Sequence, residues 1–203
     1  MRIVIAVDLA TRFSAGLVRT AGGEVVRQWD SVGRSHSVLA RYVYSEYLTA
    51  LTTFGALTRP IVVVEDLPPH VPSSLVRTQV AQLQGRIIQE FSRNDGIQLP
   101  NVKALEDLFF VPPAIWQHEM GVWRATPEQT AAVAAGLGYE PPDLTARWFE
   151  THDVLKPLSS TQRAALAKQT TDYVDAFLIS EWTRRCMAEG RVWDSKTIKQ
   201  YKD

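Results

Sequence analysis

The sequence predicts an α/β domain built on a five-stranded mixed sheet flanked by helices, and three observations lead there. Arg2 to Asp8 is a short, unbroken, β-branched apolar run, as expected of a strand buried on both faces. Two more strand-like segments, Ala15 to Thr20 and Glu24 to Trp29, follow at once and are joined by the turn Ala21-Gly22-Gly23. The period then becomes helical before a second β-branched run, Ile61 to Glu65. A helical crossover between two such runs makes them parallel neighbours.

The remaining elements follow in order. Leu39, Val43, Tyr47, Leu48, Leu51 and Phe54 recur at helical spacing and predict a helix ending near Gly55. Pro68, Pro69 and Pro72 impose a loop after the fourth strand. Ser73 or Ser74 then caps a helix with the core stripe Val76, Val80, Leu83, Ile87 and Phe91, ended by Asn94-Asp95-Gly96. A fifth strand is expected between about Val102 and Val111, and a helix carrying Trp116 opens at Pro112-Pro113. Thr126-Pro127-Glu128-Gln129 is a helix start, with a capping threonine and Pro at the first position. That helix stops around Gly136-Leu137-Gly138. Residues 139–158 read as a loop-rich excursion, and a last long helix is expected from near Ser160 to about Glu189.

The 203 residues suit a single domain over 1–203, with a longer connection or insert at about 124–160 and a C-terminal tail at 190–203. Hydrophobic residues make up 45% of the chain, enough to fill a core without disulfides. The lone cysteine, Cys186, has no internal partner, which points to a reducing compartment. The apolar run at residues 3–7 is too short for a signal-peptide core or a membrane span. A cytoplasmic protein without membrane association is expected. The 22 basic and 22 acidic residues cancel, which excludes a wholly basic nucleic-acid coat protein but leaves room for a local basic face.

Acidic residues fall at informative places. Asp8 ends the first strand and Glu65 ends the fourth. In the last helix, Asp172 and Asp175 stand at i and i+3, on one face, with Tyr173, Val174, Phe177 and Leu178 around them. Taken singly, each acid has an ordinary explanation: Asp172 as a solvated helix residue, Asp8 as an Asx-turn residue. Taken together, two adjacent strand ends and one acidic helix face converge on a point. A divalent cation would relieve their repulsion. Mg²⁺ suits such a site because it takes oxygen ligands and keeps several waters. Two such ions, roughly 4 Å apart, would activate a water and stabilise the leaving oxygen of a phosphodiester.

The ordered set Asp8, Glu65, Asp172-x-x-Asp175-Ala176 resembles that of the RuvC-like Holliday-junction resolvases, within the ribonuclease H-like superfamily. The segments "IVIAVDLATRFSAGLV", "VVVED" and "DYVDAF" stand in family order, and "LVRTQVAQLQGRIIQEF" resembles the helix after the family's glutamate. The likeness spans most of residues 2–121 and 166–182. It implies a divergent member with a ribonuclease H-like fold. It further implies a homodimeric endonuclease that binds four-way DNA junctions and cuts two strands of like polarity. By motif match, Asp8, Glu65, Asp172 and Asp175 would be the catalytic acids and the ligands of Mg²⁺ or Mn²⁺, two ions per site.

The chain departs from that pattern in four places. Leu9-Ala10-Thr11 stands where the family has a glycine-containing turn. Trp116-Gln117-His118 stands where a lysine is common, so Gln117, His118 and His152 are the candidates to replace missing basic residues. Leu67-Pro68-Pro69-His70 follows the glutamate where the family carries a bulky aromatic that meets DNA. Residues 124–160 exceed the family's connection.

Candidate phosphate contacts are Arg12 after the first strand, Arg77 and Arg86 on the helix following the proline loop, and Lys168 one turn before Asp172. The tail from Arg191 to Lys202 reads as a frayed terminus or an accessory arm. His70, His118 and His152 are too scattered for a zinc motif. The tryptophans, Trp116 among them, read as core or interface anchors. Thr151-His152-Asp153 is a triplet that the insert would bring toward the site. Other functions on a related fold are a ribonuclease H-type enzyme, a flap or fork nuclease, a catalytically dead branched-DNA binder, and an actin-like ATPase phosphate-binding domain. The last needs a second, glycine-rich phosphate loop on a duplicated domain, for which the chain is too short.

Overall fold

Alternation of side chains along a strand decides which residues of this protein face which helical layer, and therefore where its acids point. The computed structural model describes residues 2–10, 13–31, 34–54, 59–66, 74–93, 103–151, 158–191 and 199–200. The strands are β1 (Val4–Asp8), β2 (Ala15–Arg19), β3 (Val25–Asp30), β4 (Ile61–Glu65) and β5 (Leu108–Val111), in the spatial order β3-β2-β1-β4-β5. β1 pairs antiparallel with β2, and β2 with β3, while β1, β4 and β5 run parallel. The five-stranded mixed sheet is as the sequence predicts. At its β5 edge, Lys199–Gln200 of the tail adds a two-residue antiparallel strand, β6.

Three helices cover the sheet. The helices α1 (His36–Phe54) and α2 (Ser74–Arg93) lie on one face, over Ile5, Val7, Val62, Val64, Leu108 and Phe110. The long helix α6 (Ser160–Ala188) lies on the other, over Val4, Ala6, Ile61, Val63, Phe109 and Val111. Every core residue of β1 and β4 is thus assigned to a layer by parity, and the next residues on the α6 side are Asp8 and Glu65. The crossover α1 makes β4 parallel to β1, with Val7 opposite Val64, so the two strand-end acids fall side by side.

Short helices complete the α6 layer: α3 (Pro113–Glu119), α4 (Pro127–Gly136) and α5 (Leu144–Thr151). α4 opens with the expected capping box, Thr126 accepting from the Gln129 amide and Gln129 returning to the Thr126 amide. α6 opens with another, between Ser159 and Gln162.

Two expectations need correction. The 139–158 excursion contains helix α5, because Asp143 accepts from the amides of Thr145 and Ala146 and so caps it. The segment before β5 is a 3₁₀ turn, Ala104–Asp107, not strand: buried Asp107 accepts from Tyr47 Oη at 2.7 Å and Arg59 Nε at 2.9 Å, which pins the turn beneath the sheet. The first helix ends at Phe54, as its spacing predicts, with that ring exposed.

One glycine is required by a close approach. A β-carbon on Gly16 would stand 2.2 Å from the Trp29 ring of the neighbouring strand, so only glycine lets the two strands pair with that indole between them.

Candidate active site

Asp8 and Glu65 arrive at the site on the C-terminal ends of two parallel strands, where the backbone leaves the sheet and side chains gain room. Asp172 and Asp175 arrive on the turn of α6 that passes over those ends. Asp8 and Asp172 are buried, at 5% and 4% exposure, while Glu65 and Asp175 keep part of their surface open. The side chains of Asp8 and Glu65 are within hydrogen-bonding reach of each other.

The electrostatics are those of an uncompensated cluster. Burial, then the charge of Glu65, raises the Asp8 carboxyl well above the usual range. Burial, then Asp8 and Asp172, does the same to Asp175. Burial lifts Glu65 to about 7, with the hydrogen bond from Asp8 pulling it down and the charge of Asp175 pushing it up. Burial lifts Asp172 to about 6, against the pull of Lys168. Burial and mutual repulsion therefore disfavour full ionisation of Asp8 and Glu65 when no cation is present.

Two basic or polar groups shape the cluster. Lys168 Nζ stands 3.5 Å from Asp172 Oδ1, one helical turn away, with most of its side chain in solvent. Trp116, fully buried on α3, donates its indole N–H to Glu65 Oε1 at 3.1 Å. The sequence presents Trp116 only as a core or interface anchor. It is a core residue and also the fixed hydrogen-bond partner of Glu65. Gln84 of α2 holds the neighbouring backbone, donating to the Glu65 carbonyl at 3.3 Å and to Asp66 Oδ1 at 3.2 Å.

Do these residues suit a metal? Among the described residues, no three histidine, cysteine, aspartate or glutamate side chains are closed around a common point as a metal would hold them. The carboxylates are instead turned to substitutes, Asp8 to Glu65 and Asp172 to Lys168. One atom has no substitute: Asp172 Oδ2 is buried and makes no hydrogen bond. An orphaned buried carboxylate oxygen is costly. A donor set made only of carboxylate oxygens, all disfavoured as bare anions, fits a hard divalent cation.

The other candidates are placed as follows. Arg77 and Arg86 lie exposed on α2, on the layer opposite α6. Arg12, Leu67 to His70, His152 and Asp153 lie outside the described residues. His118 is exposed and stacks on Trp123, ring centroids 4.4 Å apart. Beside it Arg124, at φ 59°, holds its guanidinium over the same indole, 5.9 Å from the ring centroid. Gln117 is half-buried, and its carbonyl accepts from the Val122 amide to close the loop after α3.

No protein-family profile matches the chain, and no curated protein matches it. Solved structures do. Thermus thermophilus RuvC in complex with a Holliday junction substrate matches with a TM-score of 0.52 at 14% identity, over 91% of this chain and 96% of that one. The fold is RuvC-like. A further structure of Thermus thermophilus RuvC matches with the same score and coverage. The coverage matters as much as the score. The likeness of fold spans nearly the whole chain. Among the described residues, no helix is long and apolar enough to cross a membrane.

Proposed function

We propose that this chain is a metal-dependent structure-selective endonuclease that resolves four-way DNA junctions by paired phosphodiester hydrolysis. The observation that carries the reading is the buried carboxylate cluster at the C-terminal ends of β1 and β4, with its orphaned Asp172 Oδ2. The RuvC-like fold supports it, since one of its relatives is seen holding a junction.

In this reading Asp8, Glu65, Asp172 and Asp175 hold two Mg²⁺ or Mn²⁺ ions. Such ions would supply the positive charge that draws phosphate oxygens in and makes water a competent nucleophile near neutral pH. The chain's own residues do the rest. Asp8 and Glu65 have raised pKa values, so protons would compete with the cations for these carboxylates and binding would be favoured as pH rises. Trp116 fixes the Glu65 carboxylate at one oxygen and leaves the other free. Lys168, released from Asp172, presents an ammonium to a phosphate at the rim. Arg77 and Arg86 add phosphate contacts from α2.

Paired cuts need two sites, so the working form is a homodimer. The first turns of α2 support that: residues 74–79 carry no buried residue, and Leu75 is 64% exposed there, while the core stripe starts only at Val80. The buried free thiol of Cys186 is consistent with a cytoplasmic home. The decisive experiment sets labelled four-way junction, fork, flap and RNA–DNA hybrid side by side in Mg²⁺. Symmetric paired nicks in the junction are expected. Preferential cutting of the hybrid, fork or flap would replace the junction reading, and no cutting of any substrate would remove the nuclease.

A further inference from the structure

Arg27 and Trp29 of β3 face the α1 layer, where Arg27 Nη1 binds Glu46 at 2.9 and 3.1 Å and Trp29 joins the core. By alternation Gln28 and Asp30 face α6. Gln28 Oε1 accepts from Tyr139 Oη at 2.9 Å, and Tyr139 stacks on Phe177 of α6. Asp30 Oδ2 accepts from Tyr173 Oη at 2.8 Å and from Arg147 Nη1 of α5 at 3.3 Å. The side chain of Asp30 is only 14% exposed, so hydrogen bonds from these donors help to stabilise its carboxylate.

The register ties this point to the acids. Asp8 stands opposite Ala15, and Ala15 opposite Asp30, so Asp30 lies in the same row as Asp8, two strand spacings or about 10 Å away. Tyr173 lies between Asp172 and Asp175 in the chain, with its ring fully buried against Phe13. Its hydroxyl is the far end of a rigid lever fixed to the turn that bears both aspartates. A carboxylate roughly 5 Å from a helix axis moves about 1–2 Å when the helix turns by 20°, which exceeds what a metal site tolerates. Asp30 lies at the end of β3, not at the ends of β1 and β4 where Asp8 and Glu65 stand. It is therefore linked to the acid-bearing turn through Tyr173 rather than by direct contact.

We propose that Asp30 is a positioning residue: through Tyr173 it sets the rotation of α6 that aims Asp172 and Asp175 at the strand ends, and through Arg147 it locks helix α5 of the 124–160 insert to the same point. The inference rests on reading the four acids as a cation site. It gives the insert a role, as the outer brace of the metal-binding turn.

The test measures Mn²⁺ binding to metal-free protein by the loss of the free-ion electron paramagnetic resonance signal, alongside thermal unfolding in chelator. The proteins are wild type, Asp8→Asn, Tyr173→Phe, Asp30→Ala, Asp30→Asn and Arg147→Lys. Tyr173→Phe and Asp30→Ala are expected to weaken Mn²⁺ binding about tenfold, as loss of a group that orients a ligand does. Asp30→Asn keeps an oxygen for the tyrosine and Arg147→Lys keeps a cation, so both should bind within about threefold of wild type, the scale of one weakened hydrogen bond. Should Asp30→Ala fail to fold, Tyr173→Phe carries the test. Wild-type Mn²⁺ affinity in Tyr173→Phe, with Asp8→Asn impaired, would overturn the positioning role and leave the cation site standing. No Mn²⁺ binding by wild type, or none lost in Asp8→Asn, would overturn the cation site and this inference with it.

Discussion

The indole N–H of Trp116 donates to Glu65 Oε1 at 3.1 Å from a ring with no exposed surface. This bond joins α3 to the end of β4 and is one of two hydrogen bonds that lower the Glu65 pKa against burial. Trp116→Phe keeps a ring and deletes the donor. Glu65 should then hold its proton to higher pH. Cleavage of a four-way junction in Mg²⁺ should fall about tenfold at pH 7, the worth of a hydrogen bond to a charged group, and recover partly at pH 8.5. A profile merely scaled down, without the alkaline shift, would make Trp116 a packing residue only.

Metal-free protein should lose stability as pH rises. Asp8, Glu65, Asp172 and Asp175 all have folded-state pKa values above their ordinary ones. The folded state therefore holds more protons than the unfolded state from about pH 4 upward. Their contribution is intact below about pH 4 and is lost as pH climbs through the values of about 6 and about 7 for Asp172 and Glu65. Thermal unfolding in chelator should show a falling midpoint across that window, and Mn²⁺ should raise the midpoint far more at pH 8 than at pH 5. A midpoint that rises through the window would contradict the cluster.

Asp8→Asn and Asp175→Asn should abolish cutting while making the metal-free protein more stable at pH 8. Each swap keeps shape and removes a charge that burial disfavours, by about 1–3 kcal/mol on the scale of charged-group desolvation. Cleavage assays and chelator melts on the same preparations check both halves. Near wild-type cutting by either variant would remove that acid from the site.

Ca²⁺ should strengthen junction binding without supporting hydrolysis. The acids repel DNA until cations fill them, and Ca²⁺ accepts the same oxygens with longer, looser bonds. Gel-shift titrations with and without Ca²⁺ measure this, and affinity should fall steeply with salt. The Asp172→Asn, Asp175→Asn double variant should bind at least as well as wild type without metal and respond less to Ca²⁺.

Gly16→Ala should cost roughly 1–3 kcal/mol, the range for overpacking a core, because its methyl would overlap the Trp29 indole. Combining it with Trp29→Leu opens the space and should recover part of the loss. Chemical denaturation of the single and double variants decides the matter, since an additive double variant would locate the strain elsewhere.

The elements of this protein that sequence alone determined are those set by local periodicity and local hydrogen bonds. The β-branched runs became β1 and β4, the stripe Val80, Leu83, Ile87 and Phe91 became the buried face of α2, and Thr126 with Gln129 capped α4. The sequence also placed Asp8 and Glu65 at the ends of two adjacent strands, and helical spacing set Lys168 one turn before Asp172. The fold likeness to RuvC agrees with the predicted fold class. Where a local signal was weak, it failed: residues 139–158 read as a loop-rich excursion, yet Asp143 accepts from the amides of Thr145 and Ala146 and caps α5 there. Only the tertiary structure decided the partners of those acids. Trp116 meets Glu65 across 51 residues, and Tyr173 meets Asp30 across 143. Such contacts have no period and no fixed spacing. They exist because two helices pack over particular strand ends, and that packing is a property of the assembled sheet rather than of any one segment.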